Sequence, residues 1–176
     1  PGTPVSAHEG EVSSLAFSPS GRTLVSTGWD GKTRLWGVRN GKTIPLMGSR
    51  SSERTRALFS PRGNTLALGR DDGLVRLLDA ATGKVLAKLP TGQGPHEMAI
   101  SPDGRTAYIP DYGAFAVYPP GDQTHTRLGT TITVIDLVKR VVKKTFDVGT
   151  HVGPHDVLVS RDGKYLWVTT ETPMAL

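Results

Sequence analysis

Short apolar runs separated by turn signals recur along the whole chain, at strand length rather than helix length. Val12-Ser13-Ser14-Leu15-Ala16-Phe17 is followed by Thr23 to Thr27, by Thr33 to Val38, and by a weaker outer run from Lys42 to Gly48. Asp30-Gly31 and Asn40-Gly41 fall between these runs as tight-turn signals, and Pro45 suits an edge strand, where a missing N–H costs no ladder bond. The plan returns as Ala57 to Phe59, Thr65 to Leu68, Val75 to Asp79 and Val85 to Leu89, with turns at Asp72-Gly73 and Thr82-Gly83. It returns again as Glu97 to Ile100, Thr106 to Ile109, Thr131 to Asp136 and Val141 to Val148. A last unit offers Asp156 to Val159 and Tyr165 to Thr170.

A turn phrase marks the same place in every unit. Ser18-Pro19-Ser20-Gly21-Arg22 becomes Ser60-Pro61-Arg62-Gly63-Asn64, then Ser101-Pro102-Asp103-Gly104-Arg105, then Ser160-Arg161-Asp162-Gly163-Lys164, at spacings of 42, 41 and 59 residues. A period near forty with four strands per unit is the mark of a tandem array of small sheets, a propeller. The expected fold is all-β: a partial β-propeller of about three and a half four-stranded blades. The blades are expected at 8–50, 51–92, 93–150 and 151–176, the last incomplete. The wider third spacing places an insert at 114–130, where Pro120-Gly121 suits the centre of a type II turn.

The 176 residues fit one such array. The absence of cysteine excludes disulfides and thiolate chemistry. No apolar stretch reaches the roughly 20 residues of a membrane span. The net charge of +5 is uneven: residues 1–88 hold 13 Lys and Arg against 7 Asp and Glu, and residues 89–176 hold 8 against 9. The excess is scattered and lacks a basic face with interleaved aromatics, so no nucleic-acid partner is expected.

Ala7-His8, Val12 to Pro19, Leu24-Val25-Ser26, Asp30-Gly31 and Arg34-Leu35-Trp36 resemble a WD40 repeat, and unit two does so more loosely. Units three and four look more like bacterial YVTN-type propeller repeats, through Gly94-Pro95-His96-Glu97, Thr133 to Leu137, Gly153-Pro154-His155-Asp156 and Tyr165 to Val168. The WD40 resemblance implies a structural tetrad of His8, Ser26, Asp30 and Trp36, four polar groups that satisfy one another. Unit two departs from it: Leu68 and Leu78 stand at the Ser26 and Trp36 positions and only Asp72 is kept, so apolar packing is expected there. The YVTN-like half inclines the setting toward the periplasm or another extracytoplasmic space without deciding it.

Resemblance to propellers also implies that the loops entering each inner strand share one face with the loops between second and third strands. That face would gather His96, Glu97, Asp111, Tyr112, His155, Asp156 and Glu171 as a candidate site at the channel mouth. The repeated Gly-Pro-His-acid motif makes His96 and His155 equivalent. Two imidazoles with nearby carboxylates are a donor set for a divalent metal or an acid–base pair. The plainer reading is that each caps its own blade, since repeat-equivalent residues usually serve the repeat. No cofactor is expected, and a metal at His96 and His155 is the minority reading. Phe115, Tyr118, His125 and Arg127 on the insert form a second candidate, a partner-binding patch with aromatic anchors.

No nucleophile elbow, P-loop or dinucleotide fingerprint is present. The leading expectation is a scaffold that binds protein or peptide through the top-face loops. The alternative is a YVTN-like propeller enzyme or enzyme subunit, hydrolytic or oxidoreductase-associated, working near His96 and His155. The half-formed last unit is expected to be completed by further blades from a longer polypeptide or from a second copy, because open strand edges template association.

Overall fold

A computed structural model describes residues 6–47, 55–70, 72–114, 127–150 and 152–171. These residues form fourteen strands and no helix. Blade one is the antiparallel meander β1 (Val12–Phe17), β2 (Thr23–Gly28), β3 (Thr33–Gly37), β4 (Thr43–Met47), and blade two is β5 (Thr55–Phe59), β6 (Thr65–Arg70), β7 (Leu74–Asp79), β8 (Val85–Pro90). Blade three is β9 (Ala99–Ile100), β10 (Thr106–Ala114), β11 (Arg127–Asp136), β12 (Val141–Asp147), and β13 (Pro154–Val159) pairs with β14 (Leu166–Thr170) in blade four. The chain is a partial β-propeller.

The repeated turn phrase has one construction. Each serine hydroxyl oxygen accepts the amide five residues on: Ser18 from Thr23 at 3.1 Å, Ser60 from Thr65 at 3.2 Å, Ser101 from Thr106 at 2.9 Å and Ser160 from Tyr165 at 2.9 Å. The phrase also packs neighbouring blades, since a Cβ placed on Gly63 would stand 3.2 Å from Pro19 Cδ and one on Gly104 3.4 Å from Pro61 Cδ. The same four residues therefore turn the chain and set the blade spacing at one end.

Period-two alternation puts one set of side chains on each face of a blade. Val25 and Leu35 of blade one pack on Ala57, Phe59, Leu66, Leu68 and Leu78 of blade two. The opposite face of blade two presents Ala67, Val75, Leu77 and Leu89 to Ala107, Ile109, Ile135 and Leu137 of blade three. Burying such faces against each other is the main stabilising term, at about 25 cal/mol per Å² of apolar surface. Leu15, Phe17, Leu24, Ser26 and Trp36 hold in blade one the positions that Ala57, Phe59, Leu66, Leu68 and Leu78 hold in blade two, 42 residues later. Phe17 is 62% exposed where Phe59 is 6% exposed. At the other end of the row, the cross-strand pair Leu158 and Trp167 is likewise exposed.

Two boundaries differ from the sequence pattern. The inner strand of blade three is only Ala99–Ile100, not Glu97 to Ile100. Upstream of it Pro95 makes an isolated bridge to Asp111, and Glu97 is drawn to Arg56 of blade two, so pairing is interrupted between them. The insert is narrower than 114–130, because β10 continues to Ala114 and β11 begins at Arg127, with a register shift between Asp111 and Gly113. Phe115, Tyr118 and His125 lie outside the described residues, and Arg127 is placed by its backbone in β11 alone.

Candidate functional site at the loop end of the blades

His8 precedes β1, Ser26 lies in β2, Asp30 in the following turn and Trp36 in β3, which brings all four to one face of blade one. His8 Nδ1 is 2.8 Å from Asp30 Oδ1, His8 Nε2 is 2.8 Å from Ser26 Oγ, and Trp36 Nε1 donates to Ser26 Oγ at 2.8 Å. A carboxylate only accepts, so Nδ1 carries the imidazole proton. Nε2 then accepts from the Ser26 hydroxyl, whose oxygen accepts from the indole. One neutral tautomer satisfies every member. The His8 side chain is fully buried and that of Asp30 is 4% exposed. Burial alone would raise the Asp30 carboxyl. The bonds it accepts from His8 and from the Lys32 and Glu9 amides overcome that and hold it at about 2.

Arg34 joins this group without having been singled out in the sequence. Its Nη1 lies 2.9 Å from His8 Nδ1 and 3.4 Å from Asp30 Oδ2. Because Nδ1 already holds a proton, the guanidinium bonds to the carboxylate. In blade two, where histidine, serine and tryptophan are missing, Arg76 takes Asp72 in a fork, Nη2 to Oδ2 at 2.5 Å and Nη1 to Oδ1 at 3.1 Å. There burial acts to raise the Asp72 carboxyl and the Arg76 bonds bring it below its ordinary value. The legible signal was Asp-Gly-x-x-Arg, present in both units.

His96, Tyr112, His155 and Glu171 come together where blades three and four meet. The rings of His96 and His155 lie 4.0 Å apart between centroids, and Tyr112 lies 5.3 Å from the first and 5.5 Å, edge-on, from the second. Tyr112 donates its hydroxyl to Glu171 Oε2 at 2.5 Å, and His155 Nε2 stands 3.8 Å from Glu171 Oε1. His96 and Tyr112 are buried, whereas the His155 and Glu171 side chains are 36% and 56% exposed, so the group opens to solvent on the blade-four side.

The other carboxylates expected at this mouth stand elsewhere. Glu97 faces Arg56 of blade two, Oε1 to Nε at 2.6 Å. Asp111 turns into blade three, accepting from Thr131 Oγ1 at 2.7 Å, Thr133 Oγ1 at 2.8 Å and the Gly92 amide at 2.9 Å. Burial pushes its carboxyl above the ordinary value despite these bonds. Asp156 is exposed and bonds the next amide, Val157 N, at 2.7 Å. One-residue alternation along a strand explains the split: where His155 points to the mouth, Asp156 must point away. Among the described residues no group of three His, Asp or Glu is placed to hold a metal ion.

Residues 2–37 match the family model of the WD domain, G-beta repeat, and residues 47–102 that of the anaphase-promoting complex subunit 4 WD40 domain. The chain belongs to the WD40-repeat family. The WD40 chain is 56% identical over 36 residues to a periodic tryptophan protein 2 homolog of Neurospora crassa, across 20% of its own length and 4% of the relative's. It is 53% identical over 41 residues to the antiviral protein SKI8 of Saccharomyces cerevisiae, across 23% of its length and 10% of the relative's. A third relative, ribosome assembly protein 4 of Chaetomium thermophilum, is 46% identical over 37 residues, 21% of this chain and 7% of that one. The matched segments thus span a tenth or less of these relatives. Hydrazine synthase of Kuenenia stuttgartiensis superposes on 99% of this chain and 47% of its own, with a TM-score of 0.77 and 22% identity. At that identity the likeness is one of fold. No described helix is long and apolar enough to cross a membrane.

Proposed function

We propose that this WD40 chain is a binding scaffold that recognises a protein or peptide through the loop end of blades three and four. The observation that carries the reading is the group His96, Tyr112, His155 and Glu171. Buried His96 and Tyr112 support a half-open His155 and an exposed Glu171. An aromatic base fixed by packing, with a charged and imidazole-bearing rim, is the composition of a contact hot spot. The names of the SKI8 and ribosome assembly relatives fit a family at work in larger biological processes, and the partner of this chain is to be found by its own surface. Further blades, from a longer polypeptide or a second copy, would cover the exposed faces around Phe17 and Trp167.

The enzymatic reading keeps one observation in its favour, the paired imidazoles beside a carboxylate. That set offers proton transfer.

The test is a peptide library selected on the immobilised chain. Selected peptides should lose roughly tenfold or more in affinity on His155→Ala/Glu171→Ala, measured at a temperature where circular dichroism shows the variant folded, since Tyr112 loses its acceptor and His96 its ring neighbour. Peptides that bind wild type and variant equally would remove the loop end from the function. Hydrolysis of a chromogenic ester that disappears with His155→Ala would favour the enzymatic reading instead.

A further inference from the structure

We propose that a second binding surface, at the opposite end of the blades, takes an acidic peptide in the cleft between the turns of blades two and three. The cleft has a volume of about 380 Å³ and is lined by Arg62 and Asn64 on one turn, Asp103 and Arg105 on the next, and Val138 and Arg140 on a third. Its charge is one-sided. The only carboxylate in the lining is Asp103, and that group is already committed, accepting from Ser101 Oγ at 2.6 Å and from the Arg105 amide at 3.0 Å. The side chains of Arg62, Arg105 and Arg140 are exposed, and the charge of Arg105 also helps hold the neighbouring Asp103 carboxyl below its ordinary value. A planar fork of donors with no acceptor matches a carboxylate, and three forks on three separate turns match several carboxylates along an extended segment.

An independent observation comes from the backbone. Among the described residues Arg140 alone, apart from glycines, has a positive φ, 58°. Its amide closes its turn on Asp136 O at 2.8 Å, as Gly41 does on Gly37 O and Gly83 on Asp79 O. The equivalent glycines have φ of 61° and 72°. Blades one and two thus put glycine at the left-handed position of this turn, where a side chain is strained. Blade three keeps an arginine there and aims it into the basic cleft. Strain retained at one repeat and relieved at its equivalents marks a position held for something other than folding.

This surface uses connections at the end of the strands away from His155 and Glu171, so it stands or falls independently of the loop-end reading. The probe is fluorescein-labelled deca-glutamate, with binding to the whole chain followed by anisotropy at about 150 mM salt, where long-range attraction is largely screened. Wild type should bind saturably. Arg62→Ala/Arg105→Ala should weaken binding roughly tenfold or more, the loss expected for charge-assisted hydrogen bonds. Lys88→Ala/Lys144→Ala, which removes the same charge from exposed positions on the outer strands, should change it by less than about twofold. Arg140→Gly should weaken binding and raise the melting temperature together, a combination that a structural role for Arg140 cannot produce. Absence of saturable binding by wild type, equal loss in the lysine variant, unchanged binding by Arg140→Gly, or tighter binding of a mixed-sequence RNA oligomer would each overturn the proposal.

Discussion

Removing the Ser26 hydroxyl is the sharpest perturbation of blade one. Ser26 Oγ has two partners at 2.8 Å, His8 Nε2 and Trp36 Nε1. Ser26→Ala leaves the first without a donor and the second without an acceptor, while removing too little volume to open a cavity. A buried polar group without a partner costs about 1–3 kcal/mol. His8 is fully enclosed and falls at the upper end. Trp36 is half-buried, and water can reach part of its ring, which places it at the lower end. The expected loss is about 2–4 kcal/mol. Urea unfolding followed by tryptophan fluorescence reads it directly, because Trp29 and Trp36 both lie in this blade. Trp36→Phe removes one bond and keeps most of the ring, and should cost about 1 kcal/mol. In the double variant the two losses should overlap by about 1 kcal/mol, since they delete one shared bond. A Ser26→Ala loss below about 0.5 kcal/mol, or strict additivity with Trp36→Phe, would refute the hydrogen-bonded chain as a stabilising unit.

Two aspartates should give pH dependences of opposite sign. Asp30, held at about 2, contributes stability that is complete above its ordinary value of 3.8 and is lost as pH falls through about 2; Asp30→Asn should flatten that acid limb, which urea midpoints between those pH values would show. Asp111 is raised by burial, so the folded state holds its proton more tightly and stability falls as pH climbs through the raised value. Asp111→Asn should remove that decline, and an identical slope in variant and wild type would contradict the burial of an ionisable carboxyl there. Gly63→Ala should destabilise by about 1–2 kcal/mol for its φ of 73° alone, with a further loss from the approach to Pro19. Gly21→Ala, at φ 65° and with nothing near its Cβ, should show the backbone cost only; equal losses at the two glycines would deny the turn phrase its role between blades.

Much of the architecture is local and was therefore legible in the residues. The Ser-x-x-Gly turn is built from a hydroxyl and an amide five positions apart, and the strands on either side alternate with period two, so blade count and strand order follow from spacing alone. The tetrad positions were legible through the resemblance to a WD40 repeat, and their chemistry agrees with it: an indole donor, a hydroxyl, an imidazole and a carboxylate satisfy one another. Equally, Leu68 and Leu78 announce an apolar face in blade two. Arg34 and Arg76 were hidden, although Asp-Gly-x-x-Arg is repeated, because an arginine on an alternating strand reads as a solvated position until its cross-turn partner is seen.

What only the tertiary structure decided is which side chains from different blades share a space. His96 and Glu97 are neighbours in sequence, yet one stacks on His155 of blade four and the other pairs with Arg56 of blade two, because both precede the short inner strand Ala99–Ile100 and only the packing of the blades on either side decides which way each side chain turns. Asp111 reads as a loop carboxylate available to the mouth, but lengthening of β10 and β11 drew it inward onto Thr131 and Thr133. The bond from Tyr112 to Glu171 spans 59 residues and depends on the angle between two blades. So does the convergence of Arg62, Arg105 and Arg140 on one cleft, and the positive φ of Arg140 is a backbone state that no residue type states by itself. Local chemistry wrote the blades; their packing chose the sites.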